Sequence, residues 1–115
     1  MDIDILTKKA HKNAMEKGFW EDRDDIEGSV YMSKKVKDEL YHNVIATRLA
    51  LIASEVGEAV EALRKGEGYN FNEELADIVI RVADLAGGLG IDLEQEIIDK
   101  MNINEGRDYL HGKKF

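Results

Sequence analysis

The sequence contains no cysteine. It therefore offers no disulfide framework, no thiolate metal site and no thiol nucleophile; the absence fits a cytoplasmic protein, which is the expected location. It contains no proline either, and few β-branched runs alternate at period two. Helix formers dominate, and glycines fall near the expected boundaries, so the chain reads as all-α. The N-terminus, MDIDILTKKAHKN, lacks a basic region followed by an apolar run, so no signal peptide is expected. No uninterrupted apolar stretch approaches the length of a membrane span. Basic surplus is missing too: the net charge of −8 counts against a binder of duplex nucleic acid, which presents a basic surface. With 115 residues, one domain spanning 1–115 is expected. Such a domain is large enough for a core but small for an enclosed active site, and self-association would help on both counts.

What is present is a series of four to five helices. Asp2 or Asp4 caps a first helix running to about Lys17, with Gly18 as its stop. FWEDRDDIEGS follows as an acidic, irregular loop, anchored in the core by Phe19 and Trp20. Ser33 caps a helix reaching about Lys65, unusually long for so small a chain, with a break possible between Tyr41 and Asn43. Gly66 and Gly68 end it. Asn72 caps the next helix, which Gly87, Gly88 and Gly90 bring to a finish. Asp92 caps the last, with Gln95 at the capping-box position, and Gly106 ends or weakens it.

The informative stretch is 49–85, LALIASEVGEAVEALRKGEGYNFNEELADIVIRVADL. Each of its two helices carries a carboxylate pair at spacing three, Glu55 with Glu58 and Glu74 with Asp77. Residues three apart share a helix face, with Cβ atoms about 5–6 Å apart. Other acidic pairs occur at the same spacing, but these two border apolar stripes: Leu49, Ile52, Val56, Ala59, Val60 and Leu63 on the first helix, and Leu75, Ile78, Val79, Val82 and Leu85 on the second. Four carboxylates on neighbouring helices repel one another unless a cation sits between them. Spacing and setting leave two readings open, a metal site and charge-lined helix packing. All four candidate ligands are oxygen donors, and no histidine stands three or four residues from any of them, which disfavours a di-iron bundle and a zinc site. Mg²⁺ is the expected ion, with Mn²⁺ as a substitute. Arg81 and Asp84 continue the charged seam as an expected structural pair, and Glu61 is expected to pair with Lys65. Gly57, inside the first motif, is explained by close helix approach.

SEVGEAVEALRKG, a short gap, EELADIVIRVADLAG and the closing KMNINEGRDYLHGKKF together resemble the MazG-like all-α nucleoside triphosphate pyrophosphohydrolases. The resemblance covers about His11 to Phe115. It implies a helical bundle completed by oligomerisation, as a homodimer or homotetramer. It further implies Mg²⁺-dependent hydrolysis of a nucleoside triphosphate, deoxynucleotides favoured, to a monophosphate and pyrophosphate, in nucleotide-pool house-cleaning. It makes Glu55, Glu58, Glu74 and Asp77 the metal ligands. Glu58 is nominated to orient or deprotonate the attacking water, with Glu61 as rival. Lys100, Asn104 and Arg107, spaced four and three apart on one face of the last helix, become contacts to the substrate, with His111, Lys113 and Lys114 as further contacts. His11 and Trp20 match the order and spacing of residues that flank the nucleobase in some family members. Read without the resemblance, Lys100 and Arg107 are a solvated cationic helix end. Two other readings stand beside this one. The chain could be a non-catalytic helical oligomerisation or regulatory module, or a pyrophosphohydrolase of another diphosphate such as a nucleotide sugar.

Overall fold

The computed structural model describes residues 1–115. It contains no strands and five α-helices: α1 (Ile3–Glu16), α2 (Glu21–Gly28), α3 (Lys34–Arg64), α4 (Gly68–Leu89) and α5 (Leu93–Glu105), followed by a 3₁₀ turn at Tyr109–Gly112. No helix is long and apolar enough to cross a membrane.

Three helices start where the sequence places a cap. Asp2 accepts from the Ile5 N–H, Ser33 from Val36 and Asp92 from Gln95, each satisfying a donor the first turn leaves free. α4 does not start at Asn72. The chain ends α3 at Lys65, turns through Gly66 in the left-handed region (φ 72°), and restarts at Gly68 with Glu67 as the flanking residue. The Glu67 N–H closes this turn on the Ala62 carbonyl at 2.9 Å, a helix-ending geometry for which glycine is the favoured residue. The turn is short enough to fold α3 and α4 into an antiparallel hairpin. α1 lies along α4, α2 against α3, and α5 lightly against α1.

Two other expectations are corrected. α3 has no break near Tyr41–Asn43; all its 31 residues are helical, and it has neither proline nor an internal glycine before Gly57 to interrupt the ladder. The stretch after Trp20 is the helix α2, not a loop, with Glu21, Asp22 and Asp24 in its first turn, where negative charge is favoured. Only Trp20 of the two aromatics is an anchor: it is 1% exposed, whereas Phe19 is 68% exposed.

Gly87 and Gly88 lie within α4, and only Gly90 terminates it. The first two serve close packing. A Cβ at Gly87 would stand 2.7 Å from the His11 Cβ, and one at Gly88 would stand 2.4 Å from the Trp20 ring. Gly88→Ala is therefore expected to destabilise the fold by about 1–3 kcal/mol through overpacking, outweighing the gain of about 1 kcal/mol in helix propensity. A denaturation midpoint at or above wild type would contradict this account of the contact.

Few residues are fully buried: Thr7, Ala10, Trp20, Val44, Ala59, Ala62, Ala83 and Ala86. All but Trp20 and Val44 are alanine or threonine. The larger apolar residues bordering the acidic motifs, Leu49, Val56, Val60 and Leu63 on α3 and Leu75 and Val79 on α4, stay about half exposed or more. Gly57 belongs to this open face. A Cβ there meets nothing within 4 Å, so close helix approach within the chain does not explain it.

Candidate metal centre

The hairpin brings the two acidic motifs together. Glu55 and Glu58 project from α3 and Glu74 from α4, and one carboxylate oxygen from each lies within 4.8 Å of the others. Asp77 lies outside that set of three but close enough for its charge to act on Glu74. Glu74 bears the main cost of the crowding. Its carboxyl shares a hydrogen bond with Glu55, is partly desolvated, and feels the charges of Glu58, Glu55 and Asp77. Together these push its pKa from the ordinary 4.5 to about 7. Glu55 moves the other way: the hydrogen bond it accepts from Glu74, aided by those it accepts from Arg81 and Glu58, holds it below its usual range against the opposing effect of burial. The crowding thus makes Glu74 the carboxyl of the cluster that holds a proton most readily.

The donor set fits a hard divalent cation. Every contributor is an oxygen, and Glu74 Oε2 is closed off from solvent without a hydrogen-bond partner. A buried acceptor with no donor is costly, and a cation would satisfy it. Magnesium–oxygen bonds of about 2.0–2.1 Å put opposite ligand oxygens about 4.2 Å apart. Three carboxylate oxygens that all lie within 4.8 Å of one another are close to the span such a shell requires.

The pair expected between Arg81 and Asp84 is replaced by two others. Arg81 crosses to α3, where its Nε donates to Glu55 Oε1 at 2.9 Å. Asp84 faces α1 and the chain before α2: the Trp20 indole N–H donates to its Oδ1 at 2.8 Å, and His11 Nδ1 lies 2.9 Å from the same oxygen. The cause is the order in which α1, α3 and α4 pack. Asp84, seven residues beyond Asp77, points at α1, while Arg81, one turn before Asp84, points at α3. Glu61 does approach Lys65, at 3.8 Å.

His11 and Trp20 are brought together, edge to face at 5.1 Å. Neither is free. The guanidiniums of Arg23 and Arg48 lie over the indole at 4.2 and 3.8 Å from its centroid. Arg48 is itself held by both oxygens of Asp22 and by the carbonyls of Val44 and Phe19, and Asp22 is kept well below the usual carboxylate range by that pair. Arg23 donates to the Gly88 carbonyl. No face of Trp20 is open to a nucleobase in this arrangement. Sequence reasoning passed over Arg48 and Asp22. The one available signal was that Arg48 precedes Glu55 by seven residues and so shares its face of α3.

Beside the carboxylates runs a groove of about 440 Å³, lined by Glu55, Asp77, Arg81, Asp84, Arg48 and Phe19 among others. Lys100, Asn104 and Arg107 do not line it. Lys100 and Asn104 are exposed on α5, which leans on α1 rather than on the α3–α4 hairpin. Arg107 lies beyond the end of that helix at Glu105, so the three do not share one helix face as expected, and it meets His111 at 3.2 Å.

A family model described as the MazG nucleotide pyrophosphohydrolase domain matches residues 44–107. The chain belongs to this family. Neither the comparison with curated proteins nor that with solved structures finds a match. The MazG match takes in both acidic motifs, the whole of α4 and α5, and Lys100, Asn104 and Arg107. It leaves out His11 and Trp20. The part of the chain that carries the family pattern is therefore the part that builds the carboxylate cluster.

Proposed function

We propose that this MazG-family chain is a Mg²⁺-dependent nucleoside triphosphate pyrophosphohydrolase. It converts a nucleoside triphosphate, deoxynucleotides favoured, to the monophosphate and pyrophosphate, as a cytoplasmic house-cleaning enzyme within one domain spanning residues 1–115. The observation that carries the reading is the close cluster of Glu55, Glu58 and Glu74, with an orphaned oxygen on Glu74, inside the MazG match. Glu55, Glu58, Glu74 and Asp77 hold the ion, Mn²⁺ substituting for Mg²⁺. A divalent ion in such a site neutralises phosphate charge and lowers the pKa of a bound water. Glu58, the most exposed of the three clustered carboxylates, accepts the proton of the attacking water. Lys100, Asn104 and Arg107 reach the phosphates from a neighbouring copy, since α5 leans away from the cluster of its own chain.

That arrangement requires a homodimer or homotetramer. The half-exposed apolar residues of α3 and α4 support it: an open face of this kind on a small domain marks an interaction surface. Gly57, facing open space, would permit close approach there.

The test is pyrophosphate release from a panel of ribo- and deoxynucleoside triphosphates with Mg²⁺, beside a Glu55→Gln, Glu58→Gln double variant. Release by wild type and none by the folded variant is the expected result. If wild type releases none, with folding verified, the hydrolase reading is lost for these substrates.

The same open faces favour a second reading, a non-catalytic helical oligomerisation module. The two part on thermal stability. A site that binds Mg²⁺ only when folded raises Tm with ion concentration, whereas the module is indifferent to millimolar Mg²⁺ beyond screening.

A further inference from the structure

We propose that Arg81 is the phosphate-binding cation that each chain supplies to its own site, held on Glu55 until a metal-bound anion arrives. The inference rests on the polyphosphate-hydrolase reading above. Two cations line the groove beside the cluster, Arg48 and Arg81. Arg48 is committed: both its terminal nitrogens donate, to Asp22 and to the carbonyls of Val44 and Phe19, and its side chain is 11% exposed. Arg81 is not. Only its Nε is engaged, with Glu55 Oε1 at 2.9 Å, and its side chain is 40% exposed. The two terminal nitrogens of the fork have no partner, and they belong to a residue that shares the groove with Glu55, Asp77 and Asp84.

The charges explain why this pairing gives way. Without an ion, Arg81 is the only cation paired with the crowded carboxylates, and Glu55 is its best partner. Glu55, Glu58 and Glu74 could together hold a divalent ion, which would take over the charge of Glu55 and weaken its hold on the Arg81 guanidinium. The favourable partner for Arg81 then becomes the anion that comes with the metal. A planar fork with two free N–H edges suits phosphate oxygens, and it can pivot about its own stem without disturbing α4. Arg81 also stands on the same face as Glu74 and Asp77, four residues beyond the latter, so the helix that carries the acids carries the cation for the phosphates.

The experiment compares wild type with Arg81→Gln and Arg81→Lys, using three readouts: Mg²⁺ binding alone, binding of inorganic tripolyphosphate in saturating Mg²⁺ by titration calorimetry, and kcat and KM for the nucleotide that wild type turns over. Circular dichroism and Tm verify that each variant folds. The expected result for Arg81→Gln is tripolyphosphate affinity reduced at least about 10-fold and KM raised to match, with Mg²⁺ binding alone unchanged or tighter because a competing cation is gone. Arg81→Lys falls between, keeping the charge but not the fork. Undiminished tripolyphosphate binding in Arg81→Gln overturns the proposal. So does a parallel fall in Mg²⁺ affinity, which assigns Arg81 to positioning Glu55, or a wild type that binds no tripolyphosphate. Because tripolyphosphate binding needs no turnover, a wild type that binds the anion through Arg81 yet releases no pyrophosphate would remove the hydrolase reading alone.

Discussion

Glu74→Gln is expected to abolish the Mg²⁺-dependent rise in Tm and to lower pyrophosphate release at least about 100-fold, while leaving the metal-free protein folded. Loss of a residue that merely orients a metal ligand costs about 10–100-fold in affinity or activity; a direct ligand lies at or beyond the upper end of that range. Glutamine keeps the volume of the side chain, and its amide can donate to Glu55 as a protonated Glu74 would. The effect on the metal-free protein reverses with pH. The folded pKa of Glu74, about 7, is above its ordinary 4.5. The folded state therefore binds this proton more tightly than the unfolded state does, and the stability it contributes is full below about pH 4.5 and lost as pH rises through 7. Glu55, shifted down, contributes stability at neutral pH that is lost only as pH falls below the ordinary glutamate range. Metal-free wild type should accordingly lose Tm between pH 5 and 8 through Glu74, and Mg²⁺ should restore more of it at pH 8 than at pH 6, since ion and proton compete for the same oxygens. Glu74→Gln removes that pH dependence. Thermal melts at several pH values, with and without Mg²⁺, read all of these at once. A Mg²⁺ shift in the variant equal to that of wild type would take Glu74 out of the ligand set.

Much of this site could be read before the fold was known, and the limits are instructive. Spacing places Glu55 with Glu58 and Glu74 with Asp77 on helix faces, because i, i+3 geometry is local. The caps at Asp2, Ser33 and Asp92 are local as well, and all three hold. Partner choice across helices is not local. Whether Arg81 reaches Asp84 on its own helix or Glu55 on the next depends on the register in which α3 and α4 cross, and an isolated helix pattern carries no information about that. The same applies to Gly87 and Gly88. In the sequence they look like a helix end, and only the approach of His11 and Trp20 shows them to be gaps left for α1 and an indole. α2 escaped notice because eight residues with no capping side chain and no apolar stripe give little helical signal. It is held by Arg48 and by the Trp20 at its start, both tertiary contacts.

Trp20→Ala is expected to lower stability more than any other single change outside the carboxylate cluster, by about 3–5 kcal/mol, a fall in Tm on the order of 10–20 °C for a chain of this size. The reason is the thinness of the core. Trp20 is the one large side chain that is fully buried; the other buried residues are alanines, a threonine and Val44. The larger groups against its ring, Arg23, Arg48 and His11, are polar and cannot refill its apolar volume without loss. Its loss also removes the surface on which Arg23 and Arg48 rest and one of the two groups that meet Asp84. Trp20→Phe separates these contributions. It retains a ring beneath the guanidiniums but not the N–H, so the expected cost is the smaller one of leaving Asp84 short of a donor, about 1–3 kcal/mol. If Trp20 instead serves a nucleobase, the ordering changes in a measurable way: both variants would keep most of the wild-type stability and lose nucleotide affinity. Chemical denaturation read alongside nucleotide binding distinguishes the two roles. With two arginines over the indole, its N–H on Asp84 and Gly88 shaped to its edge, the structural role is the one these contacts specify. Trp20 then locks α1 and α2 to the hairpin that holds the acids.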